Sequence, residues 1–284
     1  MHYMECVVLM PAKLNLTLHV TGAEGGFHML DSIVTTVEIC DEVRVRLRRD
    51  GRVSAEVRGE GLDGLPADKN NACTAARMFC EKFGTCGADI RITKRIPVGA
   101  GLGGSSADAA GVLRALCRLH GIPPESVCDI ADKTGSDTRY MLTGGWARMS
   151  GRGNEVEPLF CGFSPCFLIA VPPFGVSAAE CYKNYDRLGC RDIPPPCAEE
   201  ALKCYGSLRG ALHNALYAPA ADLHPGIAAL RGELLAISGN ACMTGSGSAV
   251  FSVFDDMDAC MRAQRACGGK YRTFAVRACL PQTR

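Results

Sequence analysis

The sequence predicts two α+β halves, each built on an antiparallel sheet. Three observations lead there. Many segments alternate apolar and polar residues with period 2, the pattern of antiparallel strands rather than of continuously apolar parallel ones. Stretches of helical periodicity lie between them. The length, 284 residues, suffices for roughly two domains with a core each. The division is expected near residues 155–165, giving an N-terminal half over 1–158 and a C-terminal half over 159–284.

In chain order, "AKLNLTLHV" reads as the first strand. Leu14, Leu16, Leu18 and Val20 share one face; Lys13, Asn15, Thr17 and His19 share the other. "IVTTVEICDEVRVRL" continues as strand, with Arg44, Arg46 and Arg48 on one face, read as a solvated outer face. "NNACTAARMFCEKFG" spaces Ala72, Ala75, Ala76, Phe79 and Phe83 for a helix, with Asn at its start and Gly at its end. "ADIRITKRIPV" alternates again, and a helix is predicted from about Ser105 to His120. In the second half "CFLIAVPPFGVS" opens a new segment and "RDIPPPC" is a loop. Helices are predicted at "ALHNALY" and "HPGIAALRGELLAIS". The closing segments "AVFSVF", "DDMDACMRAQRACGG" and "YRTFAVRACL" read strand, helix, strand.

The net charge of +1 gives no electrostatic reason to expect nucleic acid or a membrane surface as partner. No apolar stretch approaches the ~20 residues that span a bilayer, and "MHYMECVVLMPAK" lacks the basic start and long apolar run of a signal peptide. The 17 cysteines form no C-x-x-C pair, which speaks against a cysteine zinc centre and a thioredoxin-type centre. They are read as reduced, mostly buried residues of a cytoplasmic protein.

The stretch most suggestive of chemistry is "PVGAGLGGSSADAAG", with Gly99, Gly101, Gly103, Gly104, Ser105 and Ser106. A Walker loop is excluded, because no Lys follows the glycines. Gly99-x-Gly101-x-x-Gly104 matches the dinucleotide fingerprint literally. However, the strand before it carries Arg91, Thr93, Lys94 and Arg95, too polar to be buried on both faces, and "GIPPESV" downstream is a turn. A triphosphate cradle of another type remains. Glycines admit close backbone approach, a helix N-terminus favours anions, and the serines add hydroxyls.

That stretch resembles the central motif of the GHMP kinases. "PAKLNLTLHVTG", "GGFHMLDSIV", "TGSD", "NALY" and "MTGSGSAVFSVF" resemble other motifs of the family, in its order, from about residue 10 to residue 255. The similarity is greatest to the branch that phosphorylates a cytidine diphosphate-linked polyol of the non-mevalonate isoprenoid route. It implies a ribosomal-protein-like α+β N-terminal domain, a ferredoxin-like α+β C-terminal domain and an active site in the cleft between them. It also implies ATP and Mg²⁺, with no obligate protein partner.

By the same resemblance Asp137 is the catalytic base and Lys13 its partner. Pro97, Gly99, Gly101, Gly103, Gly104, Ser105 and Ser106 bind ATP, with Ser106 touching the metal. Asn70, or its neighbour Asn71, and Lys94 contact the adenosine. Phe27 and Tyr182 sandwich the cytosine and His28 reads its edge; Asn15, Thr244, Gly245, Ser246 and Gly247 complete the acceptor site. The sequence departs from the family in three places. Thr138-Arg139-Tyr140 replaces a Val-Pro-aromatic run, Ala178 replaces a common Thr, and "GRGNEV" has one extra residue. Arg139 would either pair with Asp137, favouring its charged form, or contact phosphate. Three alternatives stand beside this reading. Phe27-His28 speaks against a homoserine or mevalonate kinase, and the Lys13 and Asp137 pair against a silent nucleotide sensor. Neutral charge speaks against an RNA-binding module.

Overall fold

The computed structural model describes residues 4–59, 70–192 and 199–279. The predicted first strand is two: β1 (Glu5–Asn15) and β2 (Thr17–Glu24), with Leu16 between them. Leu14 and Leu16 belong to one core, Leu18 and Val20 to another. The chain breaks where it passes from one core to the other. The polar face is nearly as buried as the apolar one, with Lys13, Asn15, Thr17 and His19 each at most 6% exposed. Such burial needs polar partners, and they come from both halves.

Strand β3 (Phe27–Leu47) is the spine of the large sheet. Its first part pairs with β2 and with β6 (Ala147–Gly151); its later part pairs with β1 and β5 (Ala88–Thr93). Strands β4 (Val53–Arg58) and β7 (Glu155–Pro158) flank β5 and β6. The small sheet runs β10–β11–β8–β12, antiparallel throughout, from β8 (Cys166–Val171), β10 (Cys242–Met243), β11 (Val250–Phe254) and β12 (Arg272–Arg277).

Two pairings correct the all-antiparallel expectation. β4 runs parallel to β5, and β2 runs parallel to β9 (His213–Asn214). β9 also corrects the helix predicted at "ALHNALY". Helix α6 (Tyr205–Ala211) ends there, two residues pair with Thr17 and Leu18, and α7 (Tyr217–Leu223) begins afresh. The cause is Asn214. Its amide donates to the carbonyls of Met243 at 2.7 Å and Gly245 at 2.9 Å, and its oxygen accepts from the Leu216 N–H. This holds the backbone extended against the helical pattern. The "RDIPPPC" loop lies outside the described residues beyond Asp192.

Helix α1 (Asn71–Phe83) is capped as predicted, by Asn70 and Gly84. Helix α2 (Gly104–His120) is buried at every residue from Ser106 to Cys117. It packs closely because Gly111 has no side chain: a Cβ there would lie 2.6 Å from Met10 and 2.8 Å from Val43. Short helices α3 (Cys128–Thr134) and α4 (Thr138–Met141) follow. Helices α5 (Ala178–Arg187), α8 (Gly226–Ser238) and α9 (Met257–Ala266) pack with the small sheet. Arg44, Arg46 and Arg48 pair with Glu5, Asp89 and Asp50 on the outer face. Among the described residues no helix is long and apolar enough to cross a membrane, and all sixteen cysteines are free thiols.

Candidate active site

The glycine loop closes between the two halves. Its carbonyls are held from three sides. The Val176 N–H donates to Gly99 at 2.9 Å, the Ala249 N–H to Ala100 at 3.1 Å and the Lys13 N–H to Leu102 at 3.0 Å. An anion beside the loop is spared those three oxygens. Gly103 caps α2 with φ +72° and makes no side-chain cap hydrogen bond. The first amides of a 17-residue helix thus remain for a ligand.

The glycines do more than admit phosphate. A Cβ at Gly101 would collide with the Thr244 carbonyl oxygen and lie 2.9 Å from that of Gly247. One at Gly103 would lie 2.7 Å from Met141 Cε and 2.8 Å from Lys13 Cγ. The loop is shaped by the protein packed against it as well as by its ligand.

A cavity of about 330 Å³ opens at this loop. Its lining includes Asn70, Lys94, Pro97, Gly99, Gly101, Gly103, Gly104, Ser105 and Ser106, so the whole predicted nucleotide set comes together. Two members are more engaged than the sequence suggested. Asn70 Oδ1 accepts from Cys73 N at 2.8 Å as the cap of α1. Lys94 is buried between two carboxylates, donating to Asp41 and, at 2.7 Å, to Asp108. Asp41 also takes the amides of Arg95 and Ile96. Burial pushes the Asp108 carboxyl up to about 7, with Lys94 opposing. Asp41 and Asp108 escaped the sequence reading, though a signal existed. Asp41 stands in the inward row Val37, Ile39, Asp41, Val43, Val45, where an acid requires a partner.

A second, larger cavity of about 920 Å³ adjoins the first, sharing Gly101, Gly103 and Ser246. Lys13, Asn15 and Asp137 line it near that junction. Lys13 Nζ lies 3.4 Å from Asp137 Oδ2 and donates to Asn15 Oδ1. Asn15 Nδ2 in turn donates to Ser32 Oγ at 2.8 Å. The ammonium is almost wholly buried while Asp137 keeps 22% of its side chain exposed. The carboxylate is therefore the more accessible of the two from the cavity.

Gly245 and Ser246 also line this cavity, but Thr244 and Gly247 do not. Thr244 is fully buried and its hydroxyl accepts the Asn15 N–H at 2.9 Å. Gly247 backs onto Gly101 and Met243. These two hold the turn in place rather than face the acceptor. Asn214, quoted within "NALY" without a role, fastens the same turn.

The aromatic group departs from the expected sandwich. Phe27, His28 and Tyr182 all line the larger cavity. Yet Tyr182 stacks on His28, with centroids 4.8 Å apart and planes at 24°, and His28 Nε2 sits 2.8 Å from Asp186 Oδ1. The Arg152 guanidinium lies 4.2 Å over the Phe27 ring. Flat rings within reach cover one another, which leaves the faces turned away from these contacts for a base. The placement of Arg139 is unambiguous: it pairs with Asp132 at 3.0 Å. Exposed pairs contribute at most about 1 kcal/mol. Arg139→Ala should thus cost no more than about 1 kcal/mol of stability and leave kcat/KM close to that of wild type. A steady-state loss of a hundredfold would instead put this guanidinium on phosphate.

A kinase of the GHMP class is what this fold and this loop define. Residues 70–147 match the family GHMP kinases N terminal domain, and residues 198–270 match GHMP kinases C terminal. The chain is 34% identical to the 4-diphosphocytidyl-2-C-methyl-D-erythritol kinase of Pelotomaculum thermopropionicum over 281 residues, 95% of this chain and 94% of that one. It is 38% identical to the enzyme of that name from Cereibacter sphaeroides, covering 86% and 87%. A crystal structure of 4-(cytidine 5'-diphospho)-2C-methyl-D-erythritol kinase superposes with a TM-score of 0.78 at 30% identity, covering 96% and 99%. Homoserine kinase from Cytophaga hutchinsonii shares the fold, at TM-score 0.73 and 18% identity, covering 98% and 95%. The chain belongs to the 4-diphosphocytidyl-2-C-methyl-D-erythritol kinase family.

Proposed function

We propose that this protein transfers the γ-phosphoryl group of ATP to a hydroxyl of 4-diphosphocytidyl-2-C-methyl-D-erythritol, in the non-mevalonate route to isoprenoid precursors. The observation that carries the reading is the junction of the two cavities, where Lys13, Asp137 and the Gly103 turn pack together. Phosphoryl transfer asks for positioning and charge neutralisation more than for covalent help. Asp137 accepts the hydroxyl proton as that oxygen bonds to the γ-phosphorus and the bond to ADP breaks. Lys13 offsets the charge of the carboxylate and of the phosphoryl group in transit. The amides at the start of α2 hold the triphosphate.

Mg²⁺ fits the residues present. Ser106 Oγ and Thr138 Oγ1 would each lie 2.9 Å from a Cβ at Gly135, so both hydroxyls crowd one small space. Thr138 Oγ1 is buried with no hydrogen-bond partner among the described residues. Oxygen donors suit a hard cation. Ser106 would hold it together with phosphate oxygens, and the bound ion would neutralise charge on the β- and γ-phosphates. The free thiols suit the reducing cytoplasm, where we place the reaction.

The cytidine end rests on the relatives and on Phe27, His28 and Tyr182. Stacking on an aromatic ring is worth ~1–3 kcal/mol per base, a scale set by single-stranded nucleic acids. Tyr182→Ala should therefore raise KM for the cytidylyl acceptor by roughly ten- to a hundredfold and leave ATP affinity unchanged. The acceptor lacking its cytidine part should react poorly with wild type, since remote binding energy no longer positions the hydroxyl. Steady-state kinetics with both acceptors tests this. Equal reaction of the truncated and full acceptors would defeat the assignment.

A further inference from the structure

Further along the chain from Lys13, three side chains converge that the reaction does not use. His19 comes from β2, His213 from β9, and Asp192 from the segment after α5. Their ligand atoms all lie within 4.8 Å of one another. His19 Nδ1 is 2.9 Å from Asp192 Oδ2, and His213 Nε2 is 3.1 Å from Asp192 Oδ1. The two imidazoles stack with centroids 4.5 Å apart and planes 13° from parallel.

Hydrogen bonds to Asp192 Oδ2 from His19 Nδ1 at 2.9 Å and from the Val20 N–H at 3.3 Å account for His19 but not for His213. His213 Nε2 is within hydrogen-bonding distance of the carboxylate, but off the direction in which a ring N–H donates. It has no hydrogen-bond partner among the described residues. His19 is 6% exposed, and its second nitrogen has none among them either. His19 Nδ1 shares a proton with Asp192, and an ion would take the place of that proton; His213 Nε2 has no partner to displace among the described residues.

We infer that His19, Asp192 and His213 form a binding site for a divalent transition-metal ion of the zinc class, separate from the phosphoryl-transfer centre. Two imidazoles and one carboxylate are an established zinc donor set. Metal–ligand bonds of about 2.0–2.2 Å place tetrahedral donors roughly 3.3 Å apart. The spacings of 2.9 and 3.1 Å to the carboxylate are a few tenths short of that, and the two near-parallel rings must also turn out of their stack for both lone pairs to meet one ion. A fourth position can open to the neighbouring cavity of about 490 Å³, which His19 and His213 line. Asp31 faces the same cavity but is held by Arg148. Bound metal would tie β2, β9 and the chain leaving α5 into one unit.

The test is a titration of the full chain, stripped with a chelator and free of nucleotide, with Co²⁺ and then Zn²⁺. It is followed by absorption and calorimetry. One equivalent is expected, with d–d absorption and no thiolate-to-metal charge-transfer band, which sets this site apart from the free cysteines. His213→Ala and Asp192→Asn should each weaken binding at least tenfold. Asp192→Asn keeps the shape of the side chain and guards against a folding artefact; thermal melting of both metal-free variants supplies the control. The site is refuted if wild type takes up no equivalent, if the spectrum is that of thiolate ligation, or if a folded Asp192→Asn protein binds like wild type.

Discussion

Asp137→Asn is expected to lower kcat by about 10²–10⁴-fold, the usual contribution of general base assistance. The amide nearly preserves the size of the side chain but cannot accept the proton. ATP binding should survive, because the nucleotide cavity is lined by the glycine loop and α2, and Asp137 belongs to the adjoining one. The substitution also leaves Lys13 without its carboxylate partner at 3.4 Å. A drop confined to kcat, with nucleotide affinity kept, is the signature of a group that acts on the transition state. Rapid-quench measurement of the transfer step together with calorimetric ATP titration separates the two. Turnover within a few-fold of wild type would remove Asp137 from the role of base.

Gly101→Ala should be nearly as damaging, for a different reason. Gly101 has φ +75°, a conformation costing an ordinary residue roughly 1–2 kcal/mol. Its Cβ would also be driven into the Thr244 carbonyl, which neither flexes like a side chain nor has space to retreat. The Thr244 hydroxyl accepts the amide of Asn15, and the Lys13 amide bonds to Leu102, so the strain passes directly to the strand that carries Lys13. Misplacement by about 1 Å can cost on the order of 10² in rate. A fall in Tm of several degrees should accompany it, at ~2–4 °C per kcal/mol for a chain of this order of size. Differential scanning fluorimetry and kcat/KM on one preparation check both. A protein with wild-type melting and wild-type rate would show that the two glycine turns do not need their close contact.

Most of the architecture was legible because it rests on local periodicity. α1, with Asn70 and Gly84 at its ends, and the closing strand, helix and strand were readable as they stand. What was misread turned on long-range polar contacts. "ALHNALY" carries a helical pattern, yet Asn214 bonds to carbonyls about thirty residues downstream and β9 forms instead. Only the family resemblance placed Tyr182 near the acceptor, and its stacking on His28, more than 150 residues earlier in the chain, was not readable.

The sequence by itself determined the glycine loop and the helix behind it, while the family resemblance of its motifs singled out Lys13 and Asp137. Each is specified by neighbours within a few positions or by a motif that is itself contiguous. Only the tertiary structure decided what these groups face. It buried the polar face of β1 and β2 between the halves, and seated Gly101 against the Thr244 turn. It also committed Arg139 to Asp132 and Lys94 to two buried acids. A charge takes whichever partner the fold brings within a few ångströms, and the energy of that pairing depends on burial. Neither the partner nor the burial is written in residues adjacent along the chain.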